Sequence, residues 1–422
     1  MQTRNQQKKR VRGKIRKPLD GFTVLEWAQF AAGPFCTKLL AGLGAEVIKI
    51  EEPGIGDVAR RRGPFLRDIP HPERSALFLF LNTSKKGITL DLKTPTGREI
   101  FKKLVNQVDI LVEEQPPALV EELGLSYKSL REVNPQLIMA SITPFGQTGP
   151  YRDFKSYYLT DFHGGGSGYL VPYDPLDQTI LEREPIIMAG LFGEYHCGLN
   201  AAVAVVAALR ARSLVGVGQH IDISKLETFL NSQRPDMAQF LGKGISMTRA
   251  TNRHGATGRP RPNGIVPCKD GYVNMEVDET RLAALFEMMG NPEWSKDKKF
   301  CPENLAPNRP ELEARVQEWA KEHFKEEIWH DGQQRGIPMA AIYTVGDAFN
   351  SEHLQARGFF AELNHPVAGK HWYPAVPFRL SGTPIGFKHP APLLGEHNEE
   401  IYRNRLGYSK EDLVLMRRTG VI

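Results

Sequence analysis

The chain has 422 residues, 41% hydrophobic, 24% charged and 9% aromatic. That balance excludes a disordered, collagen-like or disulfide-stapled protein and predicts two or three domains. The formal charge of +5 belongs to one end: Arg4, Lys8, Lys9, Arg10, Arg12, Lys14, Arg16 and Lys17 precede the first acid, Asp20, and removing those eight leaves −3 on the rest. A nucleic-acid partner needs a basic patch on the folded part, so none is expected, and residues 1–17 read as a disordered, solvated basic tail.

The longest apolar run is Ala201–Leu209, short of the roughly 20 residues of a membrane span. No membrane partner is expected, and the basic start is not followed by the apolar stretch of a secretory signal. Cys36, Cys197, Cys268 and Cys301 lie far apart without a C-x-x-C pair. They predict no metal site and a reducing compartment, hence a cytoplasmic location.

The elements begin with a strand at Phe22–Glu26, a helix opened by Gly33-Pro34 and running to Leu43, and a strand at Ala45–Ile50. Strand, helix, strand within about 30 residues predicts a parallel sheet. The alternation continues with a strand at Ile88–Leu92, a helix at Pro95–Val105 with proline in its first turn, and a strand at Ile110–Val112. Short helices at Leu119–Gly124 and Lys128–Asn134 precede a strand at Leu137–Ile142. The region 146–179 is rich in Gly, Tyr and Asp and reads as loop. Leu199–Arg212 reads as a helix apolar all round and therefore buried, followed by a strand at His220–Ile223. Beyond it come a strand at Tyr272–Val277 and helices at Arg281–Met289 and Arg309–Glu327, then short strands and turns. No internal repeat is present.

Ala31-Ala32-Gly33-Pro34 follows the first strand, but no G-x-G-x-x-G is present, which disfavours a dinucleotide site. A helix N-terminus there still suits a phosphate or carbonyl oxygen. Lys85-Lys86 reads either as a phosphate grip or as a solvated pair. Gly164–Gly168 reads either as a ligand cover or as a plain loop. His163, His196, His220 and His254 lack metal spacing. Glu194 stands just before the small-residue helix, where desolvation would raise its pKa and the helix end would favour its charge. It reads as a nucleophile or as a helix cap. Tyr157, Tyr158 and Tyr169 are candidates for an aromatic pocket, with Trp27 read as core.

From Pro18 to Ile422 the chain resembles the family III CoA-transferases, the group of formyl-CoA transferase and carnitine CoA-transferase. The resemblance rests on Pro18-Leu19-Asp20-Gly21, Ala32-Gly33-Pro34, Gly44–Glu51 with Pro53-Gly54-Ile55-Gly56-Asp57, Leu90-Asp91-Leu92-Lys93, and Thr383-Pro384 with Ala391–His397, in that order. It implies a doubly wound, Rossmann-like large α/β domain and a smaller α+β domain, in two chains threaded as interlocked rings. The expected boundaries are 18–225 for the first part of the large domain, 226–330 for the small one, and 331–422 for a linker returning to the large one. It also implies no permanent cofactor. Coenzyme A enters as acyl-CoA, an organic acid accepts it, and an Asp carboxylate attacks the thioester, splitting one acyl exchange into easier covalent steps. The residues implied for coenzyme A are Gln29, Ala32, Lys85, Lys86, Phe145, Gly164, Gly165 and Gly166, with glycine-loop amides stabilising the oxyanions.

The chain departs from the family's pattern where that chemistry sits. The catalytic Asp position holds Glu194. Val112-Glu113-Glu114-Gln115-Pro116-Pro117 stands for Val-Glu-Asn-Phe-Arg-Pro-Gly, Glu122 stands near a family cation, and Glu52 stands where formyl-CoA transferase has arginine. Carboxylates in place of cations repel a phosphate-rich ligand by about 1–4 kcal/mol each. Members built of two unlike chains, as in succinyl-CoA:(R)-benzylsuccinate CoA-transferases, suggest the reading. Here the chain's own site is degenerate and it is paired with a catalytically competent paralogous subunit. The alternatives are an active homodimer using Glu194, and a 2-methylacyl-CoA racemase, which lacks its expected histidine in Phe154-Lys155-Ser156.

Overall fold

The computed structural model describes residues 17–172, 178–232, 234–248 and 263–422. The basic tail, apart from Lys17, lies outside the described residues, as does His254. The chain forms two compact units, Met1–Thr251 with Gly358–Ile422, and Asn252–Arg357. The inserted unit thus spans 252–357, against the 226–330 read from the sequence.

In chain order the first unit contains β1 (Thr23–Trp27), α1 (Ala32–Gly42), β2 (Glu46–Glu51), α2 (Ala76–Leu81), β3 (Lys85–Thr89), α3 (Pro95–Val105), β4 (Ile110–Glu113), α4 (Pro117–Glu122), α5 (Tyr127–Val133) and β5 (Ile138–Thr143). It continues with α6 (Tyr158–Gly164), α7 (Phe192–Val215), β6 (His220–Ser224), α8 (Lys225–Asn231) and α9 (Arg234–Lys243). The six strands form one parallel sheet in the order β3-β2-β1-β4-β5-β6. The order reverses between β1 and β4, and in such sheets the crevice outside the strands' carboxyl ends at that point takes ligands.

Period-two alternation divides the strands' side chains between two apolar layers. Leu25, Ile48 and Leu111 pack with Ile100, Phe101 and Leu104 of α3 on one face. Val24, Val47 and Val112 pack with Leu40 of α1 and Ala201 and Val205 of α7 on the other. Small residues let α7 press onto α1: a Cβ on Gly198 would stand 2.4 Å from the Ala32 carbonyl oxygen.

The inserted unit holds an antiparallel sheet of β7 (Asn263–Cys268), β8 (Gly271–Glu276) and β9 (Met339–Ala341). Around it lie α10 (Leu282–Met288), α11 (Leu305–Ala320), α12 (Lys325–Gln334), α13 (Val345–Asn350) and α14 (Glu352–Ala356). The last segment forms a hairpin, β10 (Phe360–His365) with β11 (Gly369–Pro374), then a π-helical turn at Glu399–Arg405 and α15 (Lys410–Arg418). Its closing residues seal the β3 edge. Asn398 donates to Thr89 Oγ1 at 2.8 Å, Tyr402 donates to the Thr89 carbonyl at 2.6 Å, and the Asp91 amide donates to the Val421 carbonyl at 2.8 Å.

Four expectations need correction. The region read as loop over 146–179 contains α6 and a 3₁₀ turn at Ser167–Leu170. The helix read over Arg309–Glu327 is two, α11 and α12, because Glu327 reaches back to accept from the Phe324 amide at 3.0 Å and starts a new helix. α7 starts seven residues before Leu199, is long and apolar enough to cross a membrane by length and composition, and lies against the sheet here. It is also not buried all round: Leu199, Val203 and Val206 are exposed on the face away from the sheet. All four cysteines are free, and among the described residues no cluster of His, Cys, Asp and Glu could hold a metal.

Candidate active site

Glu194 lies inside the first turn of α7, not ahead of it, and is 1% exposed. The helix is entered through Leu191 in the left-handed region at φ 56°, with no side-chain cap, so Glu194 is not the helix cap. Its carboxylate turns instead to Lys225, the first residue of α8, whose Nζ donates to Oε2 at 2.8 Å and to Oε1 at 3.0 Å. The same ammonium stands 2.6 Å from Glu114 Oε1. Glu114 Oε2 accepts from the Gly33 amide in the first turn of α1 at 3.2 Å.

Three elements converge here for separate reasons. Glu114 is the residue after β4, at the point where strand order reverses. Lys225 leaves the carboxyl end of β6, where Ser224 accepts from the Glu227 amide and starts α8 at once. Glu194 is one turn ahead of Gly198, so the close crossing of α7 over α1 sets its position.

The arrangement places two nearly buried carboxylates around one ammonium. Burial pushes the Glu114 pKa up to about 7; Lys225 opposes the rise and the Glu194 charge adds to it. Burial works to lower the Lys225 pKa, but Glu114 and Glu194 outweigh it and hold the ammonium well above its usual range. Both carboxylate oxygens of Glu194 thus accept from one ammonium, which draws on the charge that a nucleophile would use.

The residues expected to grip coenzyme A lie on several elements. Lys85 is buried, 2.8 Å from Glu26 Oε2, and donates to the Pro34 carbonyl and Asn82 Oδ1. Burial lowers its pKa to about 8, Glu26 opposing and Lys49 reinforcing. Lys86 is half-buried and divided between Glu46 and Glu400, each at 2.7 Å. Ala32 is buried at the start of α1. Phe145 packs edge-on against Tyr151, their rings 5.9 Å apart. Gly164 ends α6, Gly165 follows it, and Gly166 opens the 3₁₀ turn. In that run Gly168 is required by packing, since a Cβ there would fall 1.9 Å from His163 Nδ1. The glycine run is a compact helix junction. Tyr158 packs near Phe162 and Phe229, while Tyr157 and Tyr169 are exposed.

On the other face of the sheet, Trp27 and Gln29 line a separate cleft of about 110 Å³ with Glu52, Lys93 and Gln115. Glu52 accepts from Lys93 at 2.8 Å. Glu122 is exposed beyond it. Glu113, buried beside the cleft's floor strand, has an Oε1 without a hydrogen-bond partner. Burial pushes its pKa up to about 7, against hydrogen bonds from Ser141 and the Gln115 amide. Sequence reasoning named Glu113 and Glu114 as departures but missed Lys225, whose partners are 31 and 111 residues away.

Residues 19–398 match the profile of CoA-transferase family III. Formyl-CoA:oxalate CoA-transferase of Afipia carboxidovorans is 31% identical, over 96% of this chain and 98% of its own. Succinyl-CoA–D-citramalate CoA-transferase of Chloroflexus aurantiacus is 32% identical, over 96% and 98%. The crystal structure of a CAIB/BAIF family protein from Brucella suis superposes with a TM-score of 0.81 at 30% identity, over 92% of this chain and 99% of that one. The parallel sheet, its strand order and these full-length matches agree, and the chain belongs to CoA-transferase family III.

Proposed function

We propose that this chain is one subunit of a CoA-transferase that moves coenzyme A from an acyl-CoA donor, such as succinyl-CoA, to an acceptor carboxylate. Its own site is silent, and a paralogous subunit with an intact nucleophile performs the chemistry. The observation that carries this reading is the Lys225 ammonium holding both oxygens of a buried Glu194. The extra methylene of Glu over Asp acts in the same direction, since a displacement of about 1 Å costs on the order of 100-fold in rate. So do the inward turn of Lys85 and the carboxylate partners of Lys86, which leave little cationic surface for a phosphate-rich ligand. The exposed apolar residues of α7 support an assembly with a second chain of the same fold, threaded as interlocked rings.

The test uses the purified full chain with succinyl-CoA, followed by mass spectrometry with and without hydroxylamine. No adduct on Glu194, and no heat of coenzyme A binding at micromolar concentration, is the expected result. A thioester mass on the peptide holding Glu194 would instead show that Glu194 reacts and favour the alternative, an active homodimer for which Gln29, Ala32, Lys85, Lys86, Phe145 and Gly164–Gly166 are the proposed ligand residues.

A further inference from the structure

Lys225 Nζ stands 2.8 and 3.0 Å from the two oxygens of Glu194 and 2.6 Å from Glu114 Oε1. Glu194 is 1% exposed and Lys225 8%. An amine, a carboxyl and a second carboxyl that can pass protons between them are the parts of an amide condensation. The fold holds them together: a Cβ on Gly193 would fall 1.8 Å from Phe229 Cε1, so the first turn of α7 is pressed onto α8. Such contact turns a bimolecular condensation into a unimolecular one. A dry site also favours a neutral amine and carboxylic acid over two charges, and it keeps out the water that would reverse the reaction.

Lys49 shows what the arrangement adds. It too has two buried acid neighbours, Glu26 at 2.8 Å and Asp57 at 2.7 Å. There Glu26 Oε2 also meets Lys85 at 2.8 Å and accepts from the Thr37 hydroxyl at 2.6 Å. Burial works to raise the Glu26 pKa, but Lys49 and Lys85 bring it down to about 2, so the group stays an anion with no proton to release as water. At Glu194 both oxygens meet Lys225 Nζ, and Glu114, its pKa pushed up by burial to about 7, can carry the proton that condensation needs.

We propose that Lys225 Nζ and Glu194 Cδ condense to an amide, an isopeptide cross-link that ties α7 to α8. Nζ first gives a proton to Glu194, leaving an amine beside a carboxylic acid. The amine lone pair forms the N–C bond at Cδ. Glu114 gives its proton to the departing Glu194 hydroxyl, the C–O bond breaks, and one water leaves. Glu114 then takes a proton from the new amide nitrogen and ends as it began. One ammonium and one carboxylate become one amide and one water, with no oxidant or second substrate. The proposal rests on the same contact as the silent-site reading, but its test uses no acyl-CoA. A missing bond would leave the ionic restraint of Glu194, and that reading, in place.

Mass spectrometry of the full chain, freshly purified and after prolonged incubation at neutral pH, tests it. The incubated chain should become lighter by one water, and in a tryptic digest the peptides holding Glu194 and Lys225 should travel as one. The peptide holding Lys49 should stay unlinked. Lys225→Arg should show no joined peptide, and Glu114→Gln should form it tenfold or more slowly, with near-ultraviolet circular dichroism checking that both variants are folded. An unaltered chain that keeps its full mass, with the two peptides separate, would overturn the proposal whatever the variants do. So would an undiminished rate in a folded Glu114→Gln, or the same loss of water in Lys225→Arg.

Discussion

Gly198 on α7 and Ala32 on α1 approach so closely that a methyl group on Gly198 would stand 2.4 Å from the Ala32 carbonyl oxygen. The contact is between a side-chain position and backbone, so no rotamer change relieves it. Gly198→Val should destabilise the protein by about 1–3 kcal/mol or more, read as a lower urea midpoint at unchanged slope. An unchanged midpoint would show that α7 does not press on α1 as described.

Lys225→Met should be among the more damaging substitutions. It leaves Glu114 and Glu194 nearly buried with no counter-charge, a loss of about 3–5 kcal/mol at pH 8. At pH 5 the loss should be smaller, because Glu114, with its pKa pushed up to about 7, takes a proton and becomes neutral. Adding Glu114→Gln to Lys225→Met should recover part of the loss at pH 8. Urea midpoints of the two variants at both pH values check this.

Glu113 gives a pH dependence of defined sign. Burial raises its pKa in the folded chain to about 7, above the 4.5 of the unfolded chain. Its stabilising contribution is therefore fully present below pH 4.5 and is lost as pH rises through 7. Glu113→Gln, neutral at every pH, should gain on the parent by on the order of 2–3 kcal/mol between pH 5 and pH 8. Thermal unfolding across that range, with parallel curves for the two proteins, would refute the burial of an ionisable Glu113.

Glu26 has the opposite sign. Burial works to raise its pKa, but Lys49 and Lys85 overcome it and bring it down to about 2. Its contribution is present above the unfolded value of 4.5 and is lost as pH falls through 2. Glu26→Gln should cost about 3–5 kcal/mol at pH 7 and much less at pH 2, because it strands the buried Lys85, and leaves Lys49 to Asp57 alone, only where the parent carboxylate is charged. Denaturation by acid, followed by circular dichroism, should then be shallower in the variant than in the parent.

Much of the sheet was legible because its strands and helices obey local rules. Pro95–Val105 is found with the bounds read from the sequence, since Thr94 caps it by accepting from the Gly97 amide and proline occupies its first turn. β3 is found at Lys85–Thr89 and not at Ile88–Leu92. Its two lysines suggest a surface, and the distant Glu26, with the Pro34 carbonyl and Asn82, explains a buried Lys85. The site was legible only in part. The carboxylate at Glu194 stands out in sequence, but the cation that restrains it comes from the end of the edge strand β6, and no short pattern joins residues 114, 194 and 225. The helix junction at the glycine run was not legible because a packing requirement at Gly168 and a flexible loop leave the same letters in the chain.

The hydrogen bonds that Asn398 and Tyr402 donate to the outer strand, and the one that the Val421 carbonyl accepts from Asp91 just after it, have a consequence for biosynthesis. That strand is complete after the first fifth of the chain has been made, yet the groups that cover its open side are among the last to be translated. A nascent polypeptide must carry an unsealed margin through nearly the whole of elongation, and such margins invite association with other unfinished chains. Loss of even the final few residues should therefore harm the yield of soluble product far more than their small contact area would suggest.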